Sequence, residues 1–204
     1  MNGGIFLNTT ITSKDEILCV CRELIRKEGY KSINIRHVAK CCHISVGSVY
    51  NYFESKTDLI AETVANVWCD IFHFPDDRNP ESDDPDNLDE SKIFQSFPDC
   101  VAWIFDRLKQ GEEKYPGFFS LHSMGFIEEE KKDVQERMDR SWFHIRQSLV
   151  VVLKNDANIR SDAFDENFTE EDFAEIIFSL ILASFVQHDF DAKRIFSMIR
   201  KMLY

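Results

Sequence analysis

Small and hydrogen-bonding side chains are concentrated in one short segment near the N-terminus. A short helix predicted at 45–52 would direct four of them outward: Ser45, Gly47, Ser48 and Asn51. Small residues let a helix enter the major groove of DNA, and hydroxyl and amide groups can hydrogen-bond to base edges or phosphates. The segment therefore has the residue types needed to contact a duplex.

Three residues in or beside the same segment could bind phosphate oxygens. Tyr50 and Tyr52 offer phenol groups, which can reach the DNA backbone. Lys56 adds a cation at the start of the next predicted helix, where unpaired backbone amides also favour an anion. Phosphate contacts of this kind would orient the segment on a duplex.

These residues require a scaffold of two short helices joined by a tight turn. Hydrophobic spacing predicts short helices at 35–42 and 45–52, with longer helices before them at 13–28 and after them at 55–74. This is the helix-turn-helix arrangement.

Helix-capping patterns mark several of the predicted boundaries. The predicted N-caps include Ser13, Asn34, Ser55 and Thr169. Gly29 follows the first helix, at a position where glycine commonly ends one.

Packing inside the two-helix unit places its own demands on the sequence. Ala39 is small, as the close crossing of the two helices requires, and Val49 would pack the second helix onto the first. Ile44 would fill the turn. All three residues fit the predicted arrangement.

The rest of the chain is predicted to be helical as well. Further helices are expected at 91–110, 115–123, 126–155, 170–188 and 191–203. Only seven Gly and five Pro occur in 204 residues, too few for the frequent turns of an all-β chain. We expect an all-α fold of about nine helices, with a helix-turn-helix domain over 1–54 and a larger helical bundle over 55–204. The helix at 55–74 would link the two.

Acidic residues dominate the larger part of the chain. Residues 1–60 hold eight Lys/Arg against six Asp/Glu, whereas the remainder holds 16 basic and 30 acidic residues. Residues 75–90 contain three prolines and eight acids and are expected to form a solvated acidic loop. The asymmetry indicates a slightly basic part that meets a polyanion and an acidic part that does not.

Several classes of protein are disfavoured by the sequence. No secretory signal or membrane-spanning apolar run is present, so a cytoplasmic protein with reduced cysteines is expected. No Gly-rich phosphate loop, nucleophile motif or metal-binding motif occurs, so neither an enzyme nor a cofactor is expected. His37, Cys41, Cys42 and His43 lie close together, but their spacing matches no structural zinc site.

Homodimerisation is expected from the helices at the C-terminus. Residues 173–186 are apolar on nearly every side of a helix, and such a helix must be covered all round. A homodimer through about 170–203 would cover it; a simply buried core helix is the alternative. A twofold dimer would present two helix-turn-helix units to one face of a duplex.

The N-terminal motifs resemble those of the TetR family of transcription regulators. The resemblance runs from Ile17 to Leu59 and includes Gly29-Tyr30, the segment Asn34-Ile35-Arg36-His37-Val38-Ala39 and the segment from Ile44 to Lys56. Three positions depart from the family pattern: His43 replaces a glycine, His37 an aspartate and Asn34 a threonine.

The resemblance implies roles for individual residues on double-stranded DNA. Ser45, Gly47, Ser48 and Asn51 would lie at the groove, and Tyr50, Tyr52 and Lys56 would hold phosphates. Asn34 and Arg36, which open the second helix, would contact the backbone or a flanking base.

An effector site is expected among aromatic residues of the larger domain. The candidates that could contact a small hydrophobic or aromatic effector are Trp103, Phe118, Phe119, His122, Trp142, Phe143 and Phe178. Core packing is the alternative explanation for each of them.

Together these observations predict a ligand-responsive transcription regulator. By the habit of the resembled family it would be a repressor, released from a near-palindromic operator by its effector. The acidic larger domain keeps a second hypothesis open, a protein-interaction adaptor or activator of the same fold with weak DNA affinity.

Overall fold

The computed structural model describes residues 13–72, 94, 96–119 and 131–204. Over these ranges the chain forms eight α-helices, one short 3-10 helix and no strand, which confirms the predicted all-α fold. None of the helices in these ranges combines the length and the hydrophobicity needed to cross a membrane. The helices are α1 Lys14–Glu28, α2 Ile35–Cys41, α3 Val46–Tyr50, α4 Lys56–Ile71, α5 Phe97–Lys114, α6 Lys131–Asn155, α7 Glu170–Val186 and α8 Lys193–Leu203.

Local hydrogen bonds start the helices where the sequence predicts. The side chain of each predicted N-cap accepts a hydrogen bond from a backbone N–H in the first turn; these caps are Ser13, Asn34, Ser55 and Thr169. Gly29 ends α1 with φ +77°, a backbone angle that few other residues adopt without strain. Helix boundaries in this part of the chain are therefore set by short-range interactions.

The helix-turn-helix unit is held by a small buried core. Val38 and Ala39 of α2 and Val49 of α3 are each at most 2% exposed. Ile44 in the turn is half-buried and packs against the same core. We call residues 13–54, which contain α1, α2 and α3, the head.

We call helices α5 to α8, together with residues 115–119, the body. Helix α4 follows the head and packs against the body. Its buried residues occur along its whole length, from Leu59 near its start to Ile71 at its end. It packs against α1 in the head and against α5 and α6 in the body. The same helix therefore contributes to the cores of both parts.

In the body, a buried carboxylate joins three segments. Asp156, which follows α6, accepts a hydrogen bond from the backbone N–H of Phe97 at the start of α5, with an N···O distance of 2.9 Å. It also accepts one from the phenol of Tyr204, which follows α8. Burial would raise the pKa of Asp156, but hydrogen bonds, led by that from Tyr204, hold the pKa below its ordinary value. The carboxylate is thus ionised at neutral pH.

Some predicted boundaries differ from the structure. Residues 115–119, the described part of the helix predicted at 115–123, form a turn in which Gly117 has φ +75°. Pro116 beside it lacks the N–H that a helix interior requires. Helix α5 occupies Phe97–Lys114 rather than 91–110. The predicted acidic loop at 75–90 lies outside the described residues.

Substitution of Gly111 by alanine tests how closely α5 packs against α4. A Cβ atom at this position would lie 2.9 Å from Cδ1 and Cγ1 of buried Ile71. In Gly111→Ala, overpacking of about 1–3 kcal/mol should exceed the gain in helix propensity of at most about 1 kcal/mol. We expect the urea midpoint to fall, with a net loss of about 1 kcal/mol in unfolding free energy.

The control for this prediction is Gly47→Ala on α3. Its Cβ would meet only Ser45 Oγ, at 3.6 Å, an ordinary contact. We expect this variant to be as stable as the wild type or more stable. Equal urea midpoints for the two alanine variants would contradict the proposed clash with Ile71.

Candidate nucleic-acid interface

Helix α3 presents a small, polar surface to solvent. Of the predicted contact residues on this helix and at its two ends, four are exposed: Ser45, Gly47, Tyr50 and Asn51. The Tyr50 side chain is 51% exposed, whereas the adjacent residue Val49 is fully buried. Burial of Val49 fixes which side of α3 faces outward, so the outward polar face does not depend on a ligand.

Two serines at the start of α3, the N-cap Ser45 and Ser48, form a local pair. The Ser45 hydroxyl accepts a hydrogen bond from the backbone N–H of Ser48 at 3.0 Å, and the two hydroxyl oxygens are 2.8 Å apart. The pair fixes both side-chain rotamers before any contact with a ligand. Ser48 and Tyr52 are half-buried, and both are less accessible than Ser45.

Lys56 is exposed in the first turn of α4, as predicted. Ser55 caps this helix by accepting a hydrogen bond from the Asp58 N–H at 3.0 Å. The Asp58 carboxylate in turn accepts one from the Glu54 N–H at 2.9 Å. A phosphate at the start of α4 would therefore contact Lys56 and the backbone N–H groups that Ser55 does not cap. The Asp58 carboxylate nearby already accepts a hydrogen bond from the Glu54 N–H.

The start of α2 assigns different tasks to its two predicted contact residues. Asn34 Oδ1 accepts from the backbone N–H of His37 at 2.9 Å, and its Nδ2 donates to the Ser32 carbonyl at 3.2 Å. Its side-chain amide is thus engaged in capping. Arg36 is exposed in the first turn of α2, where its guanidinium can extend towards a phosphate.

Two of the cysteines that pack near the turn, Cys21 and Cys42, are buried. All six cysteines of the chain are free thiols. Burial raises the pKa of Cys21 to about 12 and that of Cys42 to about 11, which disfavours the thiolate form that binds metals. In the described ranges no three His, Cys, Asp or Glu side chains are grouped to hold a metal ion.

One known protein family matches the head and the first half of α4. The family described as "Bacterial regulatory proteins, tetR family" matches residues 17–63, from α1 into α4. Residues 17–63 are thus similar to the N-terminal part of the TetR family of regulatory proteins. The family match includes α2, α3 and the start of α4, in or beside which all of the predicted DNA-contact residues lie.

The fold of the chain is also similar to that of a solved structure. The reduced form of NemR from E. coli matches with a TM-score of 0.58 and 12% sequence identity, over 93% of this chain and 97% of NemR. At this identity the likeness concerns the fold alone. No curated protein matches the chain.

In the body, several predicted effector residues meet around Trp68 of α4. The Trp68 ring lies 5.6 Å from Phe118, 5.5 Å from Phe119 and 6.0 Å from Trp142, measured between ring centroids. Trp142 in turn contacts Phe178 at 5.7 Å. Trp68 was not among the predicted effector residues, because its sequence position on the linking helix gives no sign that the rings of other helices converge on it.

The other predicted effector residues are placed differently. Trp103 is connected to Trp68 through Phe72, with ring centroids 6.0 Å and 5.9 Å apart. Phe143 is 52% exposed on α6. His122 lies outside the described residues. Two surface grooves on α8, one of which includes Arg194 and Met198 in its lining, lie away from this aromatic cluster.

His43 occupies a strained position in the turn of the TetR-type head. Its φ is +56°, at the position where the resembled family has glycine. A left-handed residue other than glycine costs about 1–2 kcal/mol, although the greater unfolded-state freedom of glycine offsets part of the gain. We therefore expect His43→Gly to raise the unfolding free energy by up to about 1 kcal/mol, as measured by thermal and urea unfolding.

The control is His43→Ala, which removes the imidazole but keeps the strain. We expect no gain in stability from this variant. If the alanine variant is stabilised as much as the glycine variant, the imidazole itself and not the backbone angle is unfavourable.

Proposed function

We propose that the chain is a ligand-responsive repressor that binds a near-palindromic operator as a homodimer. The division into a DNA-binding part over 1–54 and an effector-binding and dimerisation part over 55–204 belongs to this proposal. The observation that carries it is the outward face of α3, where small and polar residues are exposed while Val49 anchors the helix from behind.

Contacts to base edges and to the phosphate backbone would be divided among residues of the head and Lys56 at the start of α4. Gly47 and Asn51 leave a low, polar surface that can approach base edges closely. Tyr50, Arg36 and Lys56 are exposed around this surface and supply donors for phosphates. Asn34 would act through its cap, by fixing the start of α2.

The first test measures how the salt dependence of DNA binding responds to Lys56→Ala. The probe is a duplex that the wild-type protein selects from a random-sequence pool. Each lost phosphate contact makes the slope of log K against log salt shallower by about 0.9. We therefore expect a weaker affinity and a slope reduced by about 0.9 for each Lys56 that contacts the duplex.

Lys109→Ala is the matched control, because Lys109 is an exposed lysine on α5 in the body. It should leave both the affinity and the slope unchanged. If the wild type selects no duplex, or if its binding does not depend on salt, DNA binding is refuted and the adaptor hypothesis takes its place.

The homodimer is proposed to form around α7. Ile176 is 42% exposed and Leu180 is 37% exposed, one helical turn apart, and the small residues Ser179 and Ala183 share the exposed side. A second copy of the same surface would cover these residues. The exposed side of α8 is mostly basic, and like charges would repel across a twofold axis, so α8 would form the rim of the interface.

The second test is therefore Leu180→Arg, alone and together with Ile176→Arg. A buried unpaired guanidinium in the interface is costly, and we expect the variants to be monomeric in sedimentation velocity. Val46→Arg, which changes a 41% exposed residue on α3, should leave the oligomeric state unchanged. Dimers that persist in the double variant would place the interface elsewhere.

The effector would bind between the rings that surround Trp68. Phe118, Phe119 and Phe178 are at most 3% exposed, so these three rings are closed to a ligand in this conformation. A small aromatic or hydrophobic effector would then favour a conformation in which the rings have separated. Because Trp68 lies on the linking helix α4, separation of the rings would also shift α4 and with it the head.

A further inference from the structure

A single carboxylate at the end of α4 receives hydrogen bonds from the head and from the body. Asp70 Oδ1 lies 3.0 Å from Nη1 of Arg22 on α1. Its other oxygen, Oδ2, accepts from Lys114 Nζ at 2.6 Å and from the phenol of Tyr115 at 2.7 Å. Asp70, which lies on α4, thus accepts hydrogen bonds both from α1 and from the end of α5.

Two of the three partners of Asp70, Tyr115 and Arg22, are buried or partly buried. Tyr115 is only 2% exposed, so its phenol has little freedom to turn towards water. Arg22 and Asp70 are partly buried, with 27% and 19% of their side-chain surface exposed. Partial burial strengthens a hydrogen-bonded ion pair compared with a fully solvated one.

The ionisation of this cluster is well defined. Burial would raise the pKa of Asp70, but hydrogen bonds from Lys114 and Tyr115 and the nearby positive charges hold it below its ordinary value. Burial and the hydrogen bond to Asp70 raise the pKa of Tyr115. At neutral pH the cluster therefore consists of a carboxylate, two cations and a protonated phenol.

The turn that begins at Tyr115 also carries the rings that cover Trp68. Phe118 and Phe119 pack on Trp68, two residues before Asp70 on α4. The turn at 115–119 therefore holds the end of α4 by a polar contact and by an aromatic contact. If the rings separate, the turn moves, and the hydrogen bond from Tyr115 to Asp70 is strained.

Arg22 carries such a displacement into the head. It lies on α1 beside Cys21, which is fully buried, and within one turn of Leu24 and Ile25 in the same core. Since α1 packs against α2, a shift of α1 relative to α4 alters the position of the helix-turn-helix corner.

We propose that Asp70 is a positioning residue that couples α1 of the head to the turn at 115–119, so that movement of this turn repositions the DNA-binding corner. Its role in regulation rests on the proposed function. The coupling itself can be measured without DNA.

The test compares two conservative variants that each remove one phenol from a carboxylate. Tyr115→Phe removes the hydrogen bond to Asp70, and Tyr204→Phe removes the equivalent bond to Asp156 inside the body. Loss of one such bond corresponds to about a fivefold change in an equilibrium constant. We expect amide hydrogen exchange in α1 to accelerate by about that factor in Tyr115→Phe and to remain at the wild-type rate in Tyr204→Phe.

A double-mutant cycle with Arg22→Met separates coupling from a general loss of stability. If both residues act through Asp70, the effects of Arg22→Met and Tyr115→Phe on α1 exchange are not additive. Lys114→Met should couple to Arg22→Met in the same way. Additive effects, or exchange that accelerates equally in α1 and α8, would overturn the proposal.

The regulatory part is tested with the duplex selected by the wild-type protein. Tyr115→Phe should change its affinity by about the same factor of five, whereas Tyr204→Phe should not. Altered α1 exchange with unchanged affinity would refute the regulatory role and leave the structural coupling. Failure of the wild type to select any duplex would refute the proposed function without affecting the exchange result.

Discussion

Helix α4 has buried residues at both of its ends, and its contacts there belong to different parts of the molecule. Leu59 and Val64 are almost completely buried, as are Trp68 and Ile71 one to three turns further on. Sixteen residues make a rod of about 24 Å. Because a helix of this length bends little, the head cannot change its tilt without disturbing contacts at the body end. This constraint would make the end of α4, and not the head itself, the place where the proposed signal from the body acts.

The two kinds of contact at this end differ in how they respond to displacement. The rings around Trp68 interact over a broad range of geometries, so they can slide before the packing energy is lost. The hydrogen bonds to Asp70 depend steeply on distance and angle. A movement of the turn at 115–119 is therefore resisted weakly by the rings and strongly by Asp70. The carboxylate would convert a loose rearrangement of aromatic residues into a defined shift of α1.

Most of the head could be predicted from sequence because its determinants are local. Ser13, Asn34 and Ser55 cap helices through residues three positions away, and Gly29 ends α1 through its own backbone angle. Spacing between Ala39 and Val49 likewise sufficed to predict how α2 meets α3. The helix predicted at 115–123 was wrong over its described part, because hydrophobic spacing outweighed the Pro116-Gly117 signal that the structure follows.

The contacts of α4 could not be predicted because they join residues far apart in sequence. Arg22 and Asp70 are separated by 48 positions, and Asp70 and Tyr115 by 45. Nothing in the local sequence distinguishes Asp70 from the other acids of a chain with 36 Asp and Glu, most of which suit a solvated surface. Only the fold shows that this carboxylate has three donors around it and that only 19% of its side-chain surface is exposed. The sequence therefore specifies the DNA-binding corner locally, whereas its connection to the body arises from the packing of the whole chain.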